Sequence, residues 1–120
     1  MRDKIFVDTN VLIYAYSYKD LNKQEVAFKL IYGKREDVVL STQVINEFSS
    51  VFIKKYKVNP KVLYPKIKNF FVLFDVALIT YSTIDIAFNL LNKYNFSYYD
   101  SLIVASALEN ECKVLYSEDM

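Results

Sequence analysis

The chain has 120 residues, 53% hydrophobic and 24% charged, a size and balance that fit one compact domain over residues 1–120 and exclude a disordered tail protein. It has no histidine and one glycine, Gly33, so His-based triads, His-ligated metal sites, glycine-rich nucleotide loops and the nucleophile elbow are all excluded. Fifteen Lys plus Arg against fourteen Asp plus Glu leave a net charge of +1, which gives no global electrostatic case for nucleic acid, so any such case must be local.

In chain order, short β-branched or apolar runs alternate with stretches of helical period. Lys4 to Val7 is the first predicted strand, followed by helices over Val11 to Tyr18 and Asn22 to Tyr32. A strand over Asp37 to Leu40 leads into helices over Thr42 to Tyr56 and Pro60 to Phe71. Pro60 suits a first helical position, whereas Pro65 lies inside the same helix and weakens its early turns. The third unit is a strand over Asp75 to Ile79 with helices over Ser82 to Tyr94 and Tyr98 to Asn110, and a last strand covers Lys113 to Tyr116. A strand followed by two helices, three times over, predicts an α/β fold with a parallel sheet and helices on both faces. No apolar run approaches the ~18 residues of a membrane span, and Met1-Arg2-Asp3-Lys4 does not open a signal segment. The single cysteine, Cys112, allows no internal disulfide and points to a cytoplasmic protein in which it is a small, semi-buried apolar side chain. The eleven tyrosines, beside abundant Lys, Asn and Ile, are read partly as the mark of an AT-rich coding sequence.

In an open parallel sheet, ligands bind beyond the carboxyl ends of the strands, so acids placed there lead the search. Asp8 directly follows the first strand and Asp119 closely follows the last. A turn or helix cap is the plain alternative for each. Glu47 lies on a helix whose apolar face is Val44, Ile45, Phe48, Val51 and Phe52, and it projects about 40° beyond that face, at the rim of the core. Asp100 opens a strongly apolar helix. Ser97 and Asp100 have the spacing of a capping box, as do Ser82 and Asp85, which serve as a control. Four carboxylates from four segments, all expected at one sheet edge, repel one another unless a divalent cation sits among them. Without His or Cys ligands, such oxygens select Mg²⁺ or Mn²⁺.

The sequence resembles the PIN-domain family, and in particular its VapC-type toxins. The resemblance rests on Phe6-Val7-Asp8-Thr9-Asn10-Val11-Leu12-Ile13-Tyr14-Ala15, Ser41-Thr42-Gln43-Val44-Ile45-Asn46-Glu47-Phe48, Tyr98-Tyr99-Asp100-Ser101-Leu102-Ile103-Val104-Ala105-Ser106-Ala107 and Leu115-Tyr116-Ser117-Glu118-Asp119-Met120. It implies acidic metal ligands at Asp8, Glu47, Asp100 and Asp119, with polar support from Asn10 and Ser117. It also implies a three-layer α/β/α fold, a Mg²⁺- or Mn²⁺-dependent endoribonuclease, a homodimer and a cognate antitoxin. The family's strand order is 3-2-1-4-5. Members usually continue past the segment matching Ser117-Glu118-Asp119, so a sheet of order 3-2-1-4, lacking the fifth edge strand, is expected here.

On this reading RNA phosphodiesters are hydrolysed to 5′-phosphate and 3′-hydroxyl ends. Lys54, Lys55 and Lys57, from a lysine-rich stretch that continues through Lys61, Lys66 and Lys68, are candidates to track the RNA backbone or are simply a solvated helix end. A haloacid-dehalogenase-type phosphatase needs a second acid where Asn10 stands, and a receiver domain lacks its paired acids. The competing reading is a catalytically degenerate PIN-like binding module. Its partner surface would use Tyr14, Tyr16, Tyr18 and the helix from Asn22 to Tyr32, residues that core and rim packing would account for equally well.

Overall fold

The structure, a computed structural model, describes residues 3–118. Strand β1 (Ile5–Val7) leads through Asp8 into α1 (Thr9–Tyr16) and α2 (Leu21–Gly33), and a short 3-10 turn (Arg35–Asp37) precedes β2 (Val38–Ser41). Helices α3 (Thr42–Lys54) and α4 (Pro60–Leu73) lead to β3 (Asp75–Ala77), and α5 (Tyr81–Lys93) and α6 (Tyr98–Glu109) to β4 (Val114–Tyr116). The four strands form a parallel sheet of order β3-β2-β1-β4, the middle of an α/β/α sandwich; among the described residues no fifth strand extends it. Its register pairs Phe6 with Val39 and Leu115, and Ser41 with Ala77.

The two inner strands are buried throughout, whereas the edge strands are partly exposed, as sequences of β-branched and apolar residues at the centre of a covered parallel sheet require. Helix α1 packs on α2 and α3, and α3 on α4; α5 and α6 pack on each other, and α6 reaches the sheet at β2. Phe6, Leu12, Ile31, Leu40, Val44, Phe48 and Phe70 anchor the main core, and Ile103 and Ala107 of α6 join it from the other side. Tyr16 fills the centre of an aromatic group, edge-on to Phe48 and Phe70, with its hydroxyl hydrogen-bonded to that of Tyr32. A smaller core of Ala87, Leu102 and Ala105 joins α5 to α6.

Several element boundaries differ from those expected, each for a local reason. Helix α1 begins at Thr9, not Val11, because Asp8 caps it and accepts the Thr9 N–H at 2.6 Å. The Ser82–Asp85 pair is not a cap. Helix α5 starts at Tyr81 with Thr80 at its N-cap, where the Thr83 hydroxyl accepts the Thr80 N–H at 3.1 Å, and Ser82 instead bonds to Glu109. Strand β3 stops at Ala77 because the Ile79 N–H turns to the Thr42 hydroxyl at 3.2 Å. Pro60 takes the first position of α4 behind its Asn59 cap, and the helix runs on through Pro65, which sits on its exposed face. There the lost N–H leaves a carbonyl that water can reach. No helix among the described residues is long and apolar enough to cross a membrane. Cys112 is half-buried, and burial pushes its thiol pKa up, away from reactivity.

Candidate functional site

Asp8, Glu47 and Asp100 each sit where a helix begins or rises from the carboxyl end of a strand. Asp8 ends β1 and caps α1, so the cap and site roles that the sequence opposes coexist in one side chain. Its carboxylate is buried, 9% exposed. Oδ1 accepts from the Thr9 N–H, and Oδ2 accepts from the Ser117 hydroxyl at 2.9 Å, which ties the segment after β4 to the end of β1. The helix N-terminus and these donors all favour a negative charge here.

Glu47 lies in the second turn of α3, which Ser41 caps by accepting the Val44 N–H at 3.3 Å. Phe48 beside it is fully buried and sets the helix rotation, so Glu47 falls at the core rim, half-buried. Its Oε1 accepts from the buried Thr9 hydroxyl at 2.8 Å and from the Gln43 amide at 3.3 Å. Thr9 therefore joins the Asp8 segment directly to the Glu47 helix.

Asp100 is in the first turn of α6, where Ser97 accepts the Asp100 N–H at 3.1 Å. The return arm of a capping box is missing: among the described residues the Asp100 carboxylate accepts no hydrogen bond. The helix body is buried, but its opening is not, since Tyr98 and Tyr99 are exposed and Asp100 is half-exposed. Solvent thus reaches an acid that the apolar helix sequence suggests is enclosed.

Asp8, Asn10, Glu47 and Asp100 line one cleft of about 180 Å³, completed by Thr9, Gln43, Tyr99 and the apolar Ile13, Val51 and Ile103. Ser117 stands behind Asp8, and Asp119 lies outside the described residues. Among the described residues, no Lys or Arg is in the lining. Two participants that the sequence reading misses are Thr9 and Gln43. Gln43 is one helical turn before Glu47 on the same face, a spacing that could have flagged it.

Next to Ser117, Tyr14, Lys23 and Glu118 form a small polar strap. The Lys23 ammonium is 3.3 Å from the Glu118 carboxylate and 4.8 Å from the centre of the Tyr14 ring. The hydrogen bond to Glu118 raises the pKa of both Tyr14 and Lys23, and the same contacts, Tyr14 first, lower that of Glu118. The lysines of α3 and α4 are exposed, and several lie over tyrosine rings, Lys66 over Tyr16 at 5.5 Å and Lys68 over Tyr64 at 5.4 Å. Tyr14, Tyr16 and Tyr18 separate, the last lying just beyond the end of α1. Tyr14 lines a groove of about 450 Å³ with Val26 and Leu30 of α2, whereas Tyr16 and Tyr18 line one of about 490 Å³ with Phe52, Tyr56 and Val62.

Whether the cleft suits a hard divalent ion rests on its donors. Among the described lining residues, the atoms able to meet an ion are oxygens, without His or Cys, a set that suits Mg²⁺ or Mn²⁺. Among the described residues, no group of three or more His, Cys, Asp or Glu side chains is gathered closely enough to hold an ion directly.

The PIN-domain family model matches residues 5–120, and the chain belongs to this family. Among solved structures, it is similar to VapC20 of Mycobacterium tuberculosis, described as a toxin that cleaves the sarcin-ricin loop. The TM-score is 0.78 at 20% identity, covering 97% of this chain and 90% of that one. It is also similar to a chain of a toxin–antitoxin complex from Klebsiella pneumoniae, with a TM-score of 0.74 at 18% identity over 96% of this chain and 87% of that one. At these identities the likeness is one of fold. No curated protein matches the chain.

Proposed function

We propose that this PIN-domain protein is a Mg²⁺- or Mn²⁺-dependent endoribonuclease, the toxin of a toxin–antitoxin pair, acting on RNA in the cytoplasm. The observation that carries the reading is the convergence of Asp8, Glu47 and Asp100, from three separate segments, on one cleft in a PIN fold. These three acids are the proposed ligands, with Asp119 as a fourth from the sequence. The ion would lower the pKa of a water for attack and neutralise charge on the phosphate and leaving 3′-oxygen. The chain's own groups do the rest. The Ser117 hydroxyl and Thr9 N–H hold Asp8 in one orientation, and the Thr9 hydroxyl and Gln43 amide hold Glu47. Asn10, on the cleft wall, positions a carboxylate or a water.

The fold likeness to a chain from a toxin–antitoxin complex supports an antitoxin partner. The two apolar grooves offer this partner, or a second copy in a homodimer, somewhere to dock. The test incubates the protein with end-labelled RNA in Mn²⁺ or EDTA. Cleavage in Mn²⁺ alone, yielding fragments that ligate without prior 5′ phosphorylation, is the expected result, and Asp8→Asn abolishes it.

One observation favours the second reading, a degenerate PIN-like module that binds a protein partner without cutting. Two apolar grooves, one lined by Tyr14, Val26 and Leu30 and the other by Tyr16, Phe52 and Tyr56, offer a partner surface that needs no metal. Melting in the presence of Mn²⁺ separates the two readings: the enzyme is stabilised and the module is not.

A further inference from the structure

Beside the acid cleft, and sharing Gln43, Glu47 and Tyr99 with it, lies a second groove of about 430 Å³, within the roughly 300–1,000 Å³ range of small-ligand sites. Its chemistry differs from that of the cleft. Along α3 it presents the carboxamides of Gln43 and Asn46 and the hydroxyls of Thr42 and Ser50, with Ile79 and Leu102 as apolar surface. The Tyr99 side chain is 61% exposed at the boundary between the two depressions. With no Lys or Arg in its lining, the groove is unsuited to a phosphate. Carboxamides both donate and accept, which suits the edge of a nucleobase, and an open tyrosine ring suits its face.

Gln43 builds the wall between the two depressions. It is 8% exposed, its amide nitrogen donates to Glu47 Oε1 at 3.3 Å and to the Tyr99 carbonyl at 3.2 Å, and its Oε1 is buried. The side chain thus ties the first turn of α6, which carries Tyr99, to α3. Asn46, exposed along the same groove, is the carboxamide open to the edge of a base.

We propose that this groove is a nucleobase subsite. It holds a base flanking the phosphate in the acid cleft, with Tyr99 as the stacking face and Asn46 reading an amino-bearing edge. The assignment rests on the ribonuclease reading above. The test measures fluorescence anisotropy of labelled single-stranded A6 and U6 in EDTA, and then maps cuts in a random-sequence RNA with Mn²⁺. A6 binds more tightly than U6. Tyr99→Ala weakens A6 binding about tenfold and raises KM, and Tyr99→Phe stays within about twofold of wild type. Asn46→Ala, a change at an exposed position, narrows the preference for A6 without shifting the melting temperature. If the wild type cleaves RNA while Tyr99→Ala keeps both its A6 affinity and its cut-site preference, the subsite is wrong and the ribonuclease stands. Equal losses in Tyr99→Phe and Tyr99→Ala also overturn it. A wild type that neither binds nor cuts RNA overturns both proposals.

Discussion

Asp8→Asn separates the structural role of this residue from its proposed ionic one. Asparagine is as good an N-cap as aspartate, so the Thr9 N–H keeps its acceptor, and the Ser117 hydroxyl can rotate to accept from the new amide. The substitution also removes one negative charge from a cleft that Glu47 and Asp100 share. Without metal, the variant should therefore melt within a few degrees of wild type. For 120 residues, the unfolding entropy is about 0.25 kcal/mol/K, so each kcal/mol moves the melting temperature by ~4 °C. Mn²⁺ at a hundredfold its Kd stabilises a one-site protein by about 2.7 kcal/mol, a rise of ~11 °C. If losing the Asp8 charge raises Kd about a hundredfold, the same metal concentration gives the variant ~2 °C. Melting followed by circular dichroism, with and without millimolar Mn²⁺, reads both numbers. An undiminished Mn²⁺ rise in Asp8→Asn would refute the reasoning, and so would a wild type that does not respond.

Three further substitutions probe the supports of the site and fold. Thr9→Val keeps the buried shape but deletes the hydroxyl that donates to Glu47; it should cost about 1 kcal/mol, or ~4 °C in melting, because Glu47 is half-buried and water replaces part of the bond. It should also reduce the Mn²⁺ response. Glu109 is held below its ordinary pKa by hydroxyls, Ser82 first and then Thr83, so its contribution is present above the unfolded value near 4.5 and is lost as pH falls through the lower folded value. Glu109→Gln should accordingly flatten the acid limb of a plot of melting temperature against pH, and a limb as steep as that of wild type would contradict the assignment. Lys57 sits at φ 57° just after α3, where the Val58 N–H closes back on the Phe52 carbonyl at 2.9 Å. Lys57→Gly should raise the melting temperature by ~2–4 °C, the left-handed strain relieved outweighing the entropy of the added glycine.

The parts of the molecule legible in the sequence are those fixed by local pattern. Ile5-Phe6-Val7 and Val38-Val39-Leu40 read as strands from their β-branched and apolar runs, and the parallel sheet follows from the helices between them, whereas the order of the strands comes only from the family resemblance. What could not be read depends on partners distant in the chain. Thr9 and Asn10 look like loop residues until Asp8 is seen to cap them into a helix. Ser82 has the spacing of a cap, yet it turns to Glu109, and Thr80 and Thr83 take over the end of α5. Gln43 resembles any polar helix residue. Its burial comes from α6, whose Tyr99 carbonyl is 56 positions away in sequence.

The same distant contacts explain how acids can share a cleft before any cation arrives. Hydrogen bonds to Asp8 and Glu47 come from uncharged groups: a backbone N–H, two hydroxyls and a carboxamide. Such donors lower the cost of each negative charge without cancelling it, whereas a lysine or arginine in the lining would neutralise the cleft and compete with a metal for the same oxygens. Asp100, which accepts no such bond among the described residues and stands half-exposed at the opening of α6, is the carboxylate with the most freedom to turn toward an ion. The division of labour is therefore two fixed acids on the β1–α3 side and one movable acid on α6. On the proposed function, that arrangement would suit a hydrated cation entering from solvent with its phosphate, beside the helix that also carries Tyr99.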